Sequence, residues 1–111
     1  MSVKLRREVF NASNDYAEHL KSDYVKSTKA DVLFDDLMIK DFANSLVFKK
    51  AKDYSRVFVR GAVHSFIVME NRGKLKRGDI LRPVTRTKPD TSFVHGNVLE
   101  KKYEKISWSG V

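Results

Sequence analysis

Leu75-Lys76-Arg77-Gly78-Asp79-Ile80-Leu81 is the stretch whose reading decides the fold. Gly78 permits a turn with positive φ, the Asp79 carboxylate can tie the turn's amides, and Ile80 and Leu81 begin a strand. Upstream, Val63-His64-Ser65-Phe66-Ile67-Val68-Met69 is apolar through its second half, as a central strand is. Between them, Glu70 to Lys74 is turn chemistry, with Asn71 and Gly73 able to take positive φ. The unit is two strands joined by a short basic loop.

Alternation of period two extends this unit in both directions. Arg56-Val57-Phe58-Val59-Arg60 sets Val57 and Val59 on one face and Phe58 on the other, and Gly61 breaks the run. Asp79 to Thr87 reads as one strand, in which Pro83 calls for an edge or a bulge. Lys88-Pro89-Asp90-Thr91 carries its proline where a type I turn favours it. Ser92 to Glu100 is a further strand, interrupted at His95-Gly96-Asn97 by either a bulge or a tight turn. Tyr103 to Trp108 alternates cleanly and makes a last strand.

The N-terminal part follows the helical period instead. Tyr16, Leu20 and Tyr24 fall at i, i+4 and i+8 and form one stripe, expected to pack onto the domain. Ser13 or Asn14 can cap this helix, which runs to about Val25 with Asp15 and Glu18 in its first turn. Ala30 to Phe34 suits a short strand closed by Asp35-Asp36. The same two aspartates suit the start of a helix carrying Met38, Phe42 and Leu46, so residues 35–46 stay open between the two. The fold class is α+β in one domain over residues 1–111. A helical segment over 1–29 precedes a basic, mostly antiparallel β-barrel or sandwich of about five to six strands over 30–111.

Composition excludes several functions. With no cysteine in 111 residues there is no disulfide framework, thiolate metal site or cysteine nucleophile. Met1 to Arg7 is basic, but no signal-peptide core follows, and nothing approaches a membrane span. A cytoplasmic location, or a particle assembled in the cytoplasm, is expected, with no membrane partner. His19, His64 and His95 have no metal-ligand spacing, and no nucleophile elbow, phosphate loop or dinucleotide fingerprint occurs. Asp35-Asp36 lacks a partner acid. No catalytic, cofactor-binding or metal residue is expected, and the chain does not read as an enzyme.

Charge points to the surface. Residues 1–48 carry seven basic against eight acidic side chains, whereas residues 49–111 carry fifteen against six. Such an excess draws polyanions by long-range potential and counterion release. Arg72, Lys74, Lys76 and Arg77 form one cluster and Arg82, Arg86 and Lys88 another; these seven are the expected contacts to nucleic acid or to a partner. Lys49, Lys50 and Lys52, and Lys101, Lys102 and Lys105, form two more. If the first two clusters border one hairpin, their charges converge at one end of the domain. Phe66, Phe93, Tyr103 and Trp108 interleave with them, the mixture that single-strand binders use for stacking.

Two family resemblances follow from these residues. Val32-Leu33-Phe34-Asp35-Asp36, then Phe66-Ile67-Val68 and Leu75 to Leu81, resemble segments of the head–tail joining (stopper) proteins of long-tailed phages over roughly residues 30–82. That resemblance implies a structural virion protein, forming a ring with copies of itself, contacting other virion proteins and lying near packaged DNA. Gly61, Phe66, Asn71, Leu75, Gly78, Asp79, Ile80 and Leu81 are also similar in order and spacing to the ASCH group of PUA-like barrels. This implies an RNA- or DNA-binding module, although Ile67, Val68 and Met69 stand where that family carries charged residues. A small regulator that binds a host protein is a further alternative.

Overall fold

The computed structural model describes residues 3–28, 41–42 and 44–111. The chain forms one long helix, α1 (Val3–Thr28), followed by β1 (Leu46–Lys49), β2 (Tyr54–Val59), β3 (Ala62–Val68), β4 (Asp79–Leu81), β5 (Pro83–Thr85), β6 (Lys88–Pro89) and β7 (Gly96–Asn97). Five strands make an antiparallel sheet in the order β1-β2-β3-β4-β7, and β5 and β6 make a separate two-stranded hairpin. The sheet is open, so the architecture is α+β without a closed barrel. No described helix is long and apolar enough to cross a membrane.

The expected stripe Tyr16, Leu20 and Tyr24 is buried, and Val9 and Ser13 extend it toward the N-terminus. The helix therefore starts well before the expected cap at Ser13 or Asn14. The Ser13 hydroxyl does not bond a downstream amide; it donates to the Val9 carbonyl at 2.7 Å from inside the helix. Asp15 and Glu18 are consequently mid-helix residues, and Glu18 pairs with Lys21 at 3.1 Å. Ala30 to Phe34 and Asp35 to Met38 lie outside the described residues. Asp41, Phe42, Asn44 and Ser45 are helical, and Leu46 opens β1 and so leaves the helical stripe.

Residues paired across a ladder share a face, and this sorts the core into two layers. Val57, Ile67 and Ile80 face α1 and pack with Val9, Tyr16, Leu20, Met69, Val98 and Ile106. Phe66, Val68, Leu75 and Leu81 pack on the other face with Tyr54 and Val63. The β5–β6 hairpin lies on that second face against β3. A shift of register between Val57 and Phe58 skips His64, which keeps His64 and Ser65 both buried. Val57 and Phe58 fall on opposite faces, as alternation predicts. Lys49 and Arg56 cover the Phe58 ring at 5.7 and 5.4 Å.

Three segments differ from their sequence reading. Pro83 splits the expected strand 79–87, because a proline cannot donate to the ladder and β4 ends at Leu81. Lys88-Pro89 is strand rather than turn: Pro89 pairs with Pro83, and the reversal falls at Arg86-Thr87. Tyr103 to Trp108 is not a strand. Helix side chains satisfy its backbone instead, with His19 Nε2 at 2.9 Å from the Ile106 carbonyl and the Trp108 amide donating to Asp23 at 2.9 Å. Trp108 then stands edge-on to the stacked pair Tyr24 and Phe42.

A polar cluster sits between helix and sheet. The Tyr16 hydroxyl is 3.0 Å from Ser65 Oγ, and Ser65 Oγ is 3.1 Å from His64 Nδ1. His64 Nε2 donates to the Ser107 carbonyl at 2.8 Å, which fixes the neutral tautomer because a carbonyl only accepts. Burial holds His64 below the ordinary 6.5 of histidine and pushes the Tyr16 phenol up.

Two predictions follow from this packing. A histidine whose folded pKa is lowered takes up its proton more readily in the unfolded chain, so stability rises with pH up to about 6.5 and falls below it. Urea unfolding between about pH 7.5 and 5 should show this slope in the wild type and a weaker one in His64→Gln; parallel curves contradict it. Separately, a Cβ on Gly78 (φ +91°) meets Asn97 Oδ1 at 2.9 Å and Leu99 Cγ at 3.0 Å, whereas one on Gly73 (φ +56°) meets nothing within 4 Å. Gly78→Ala should cost about 2–5 kcal/mol and Gly73→Ala about 1–2 kcal/mol, read from urea midpoints.

Candidate functional site

The loop between β3 and β4 is built by two reversals. Arg72 and Leu75 exchange both backbone hydrogen bonds at 2.9 Å around Gly73. The second reversal closes when the Asp79 amide donates to the Lys76 carbonyl at 3.0 Å and the Lys76 amide donates to Asp79 Oδ2 at 2.7 Å. Asn71 Oδ1 accepts the Arg77 amide at 2.8 Å. Asn97 on β7 donates its side-chain amide to Asp79 Oδ1 at 2.8 Å and to the Arg77 carbonyl at 3.1 Å. The expected role of Asp79 as a tie for the turn is what the geometry shows.

This scaffold separates the expected basic cluster. Arg72 turns toward the start of β2, pairing with Asp53 at 2.9 Å and lying over the Tyr54 ring at 5.4 Å. Arg77 turns toward the helix, where Nη2 is 3.5 Å from Glu8 and Nε is buried with no hydrogen-bond partner among the described residues. Lys74 and Lys76 line a cleft of about 390 Å³ with His95, Gly96, Glu100 and Lys102. Arg82, Arg86 and Lys88 belong to the hairpin on the second face: the Arg82 carbonyl accepts from Asp90, the Arg86 carbonyl accepts from Arg56, and Lys88 pairs with Thr85. The seven residues do not converge at one point. Two of them make one wall of a cleft.

The opposite wall comes from the segment after β6. Asn97 and Lys102 exchange backbone hydrogen bonds at 2.9 Å, with Lys101 at positive φ (55°). Gly96 makes this possible, because a Cβ there would lie 2.1 Å from the Lys102 carbonyl oxygen. Lys102 thereby comes to the cleft, its Nζ 3.7 Å from Glu100. Neither Lys102 nor His95 stood among the expected contact residues. The sequence shows Lys102 in the Lys101-Lys102-Lys105 cluster, while the close approach of that segment to Gly96 is not legible from sequence alone.

Beside the cleft stands Phe93, 62 % exposed, its ring edge-on to His95 at 4.8 Å. Of the four aromatics that interleave with basic residues, Phe66 is buried, Tyr103 packs on Tyr16 and His19, and Trp108 packs on Tyr24 and Phe42. Of these four only Phe93 is exposed; Tyr103 and Trp108 are part-buried. Val94 next to it is also exposed and lines the cleft.

The cleft carries three lysines against Asp79 and Glu100. Asp79 is 4 % exposed and accepts from two amides, so its charge is already engaged inside the turn. Lys74 and Lys76 are therefore the groups first available to an anion, while Lys102 also faces Glu100 at 3.7 Å. His64, Ser65 and Tyr16 resemble a base–nucleophile set in their contacts, and Ser65 is wholly buried. Among the described residues no group of three or more His, Asp or Glu side chains is placed to hold a metal ion.

Comparison with known families, curated proteins and solved structures finds no match to this chain.

The divergence of the basic cluster has a measurable consequence. Lys74→Ala and Lys76→Ala should leave the urea midpoint within about 0.5 kcal/mol of wild type, as surface changes do. Arg77→Ala removes a half-buried stem and its contact with Glu8, and should cost about 1 kcal/mol or more. Equal effects from all three contradict the separation.

Proposed function

We propose that this protein is a non-enzymatic domain that binds single-stranded nucleic acid, with Lys74, Lys76 and Lys102 meeting phosphates and Phe93 stacking on a base. The observation that carries this reading is the exposed Phe93 ring beside a lysine-walled cleft. Phe93, 62 % exposed, gives up apolar burial that Phe66 retains in full and Tyr103 and Trp108 in part. A base recovers it, and stacking of one base contributes roughly 1–3 kcal/mol. The lysines supply the sequence-independent part, by releasing counterions from the strand. The overall charge of +8 raises the encounter rate with any polyanion.

A second reading draws on a different part of the surface. Val47 on β1 and Val84 on β5 are 47 % and 64 % exposed, on strands away from the cleft. Exposed apolar residues on strands suit contacts between copies of one chain. They support a ring-forming head–tail connector protein of a virion, in which the cleft lies near packaged DNA and neighbouring virion proteins bind the remaining faces. Light scattering of the purified protein separates the two, since a strict monomer at high concentration contradicts the ring.

For the first reading, affinity for a fluorescent oligonucleotide should fall linearly with log salt at a slope near about −2 if three lysines meet phosphates. Lys76→Glu should make the slope shallower by about 0.7 or more. Phe93→Ala should weaken binding roughly 5- to 150-fold and leave the slope unchanged. Absence of binding at low salt rejects the reading.

A further inference from the structure

A second hollow lies on the other side of the same loop. It measures about 300 Å³ and is lined by Lys52, Asp53, Tyr54, Arg56, Phe66 and Thr87. The start of β2 supplies Tyr54 and Arg56, the hairpin turn supplies Thr87, and the core residue Phe66 on β3 closes the bottom. Asp53 does not leave the hollow acidic, because Arg72 holds it at 2.9 Å. The Arg72 guanidinium also lies over Tyr54. Arg56 is fixed from both sides, with its guanidinium over Phe58 and one nitrogen donating to the Arg86 carbonyl at 3.4 Å. The Arg72 guanidinium laid over the part-exposed Tyr54 ring, beside the positioned Arg56, is a seat for a planar ring next to a phosphate.

The hollow and the lysine cleft share one turn. Arg72 reaches Asp53 at the edge of the hollow, and Lys74 lines the cleft. Two residues of chain span at most about 7 Å, so Arg72 and Lys74 leave the backbone close together on either side of Gly73. Arg72, Gly73 and Lys74 are all exposed, and no side chain stands on the glycine between them. A strand passing over Gly73 keeps its phosphates beside a cation on either side.

We propose that the hollow beneath the hairpin is a second nucleotide site on a continuous track, which takes another base of the same single strand whose first base stacks on Phe93. Arg72 and Lys74 hold the backbone between the two sites. This inference rests on the single-strand reading of the cleft. It assigns function to Arg56, Tyr54 and Thr87, which that reading does not use, and it predicts that affinity depends on strand length.

The test is fluorescence anisotropy with oligothymidylate and oligouridylate of two and eight nucleotides, using the full chain and the variants Phe93→Ala, Arg56→Ala and Thr87→Glu. Thr87 is an exposed turn residue, so Thr87→Glu places a negative charge at the hollow without altering the core, and it keeps the test decisive if Arg56→Ala folds poorly. Phe93→Ala should weaken binding of both lengths. Arg56→Ala and Thr87→Glu should weaken the octamer at least fivefold in the DNA or the RNA arm and leave the dimer unchanged. If Phe93→Ala weakens the octamer while both hollow variants bind as wild type does, the second site is wrong and the cleft stands. If no oligomer binds in either arm, the cleft reading fails and takes the track with it.

Discussion

The Asp79 carboxylate governs the spacing of everything on this side of the molecule. One oxygen accepts the Lys76 amide and the other accepts the side-chain amide of Asn97. The first bond closes the β3–β4 turn, and the second fastens that turn to β7. Asn97 continues the chain of contacts, since its Oδ1 accepts the Glu100 amide at 3.0 Å and so orders the segment that carries Lys102. Gly78 admits this arrangement because its φ of +91° lets the chain pass under Asn97 with no Cβ in the way. One buried carboxylate therefore sets the distance between the two walls of the cleft. A buried charge is costly unless its lone pairs are engaged, and here amides from two elements engage it.

The central strands β2, β3 and β4 are covered on both faces. Its helix side is filled by α1 and the residues from Val98 to Ile106, and its second side by Phe66, Val68, Leu75 and Leu81 with the hairpin above them. Central strands covered on both faces leave function to the rims and loops. The structure agrees in detail. The cleft lies at the loop between β3 and β4, the hollow lies where β2, the loop before it and the hairpin turn meet, and Arg72 and Lys74 stand between them.

Much of this was legible in the sequence where a local rule decides. The stripe of Tyr16, Leu20 and Tyr24, the central strand through Phe66 to Val68 and the Gly78-Asp79 turn each follow from periodicity or turn chemistry. Readings failed where a distant residue overrides the local rule. Ser13 has the composition of a cap, yet Val9 upstream continues the buried stripe, and the serine bonds back to it. Tyr103 to Trp108 alternates as a strand does, but His19 and Asp23, on a helix more than eighty residues earlier, take the hydrogen bonds that a ladder would have used. The candidate site shows the same division. The basic loop is plain in the sequence, while its separation depends on Asp53 and Glu8, and its completion by Lys102 depends on Gly96.

The two kinds of polar cluster in this protein have opposite physical characters. Tyr16, Ser65 and His64 are buried and bonded to one another and to the Ser107 carbonyl. Their bonds join the helix, the central strand and the C-terminal segment, and burial keeps both the phenol and the imidazole neutral near pH 7. That cluster gains from excluding water. Lys74, Lys76 and Lys102 are exposed, and their charges sit beside an aromatic ring that the core does not need. Removing them costs the fold little, because exposed charges contribute little to stability. Residues that the fold does not require, held in place by a turn that it does require, are the ones on which a binding function can rest.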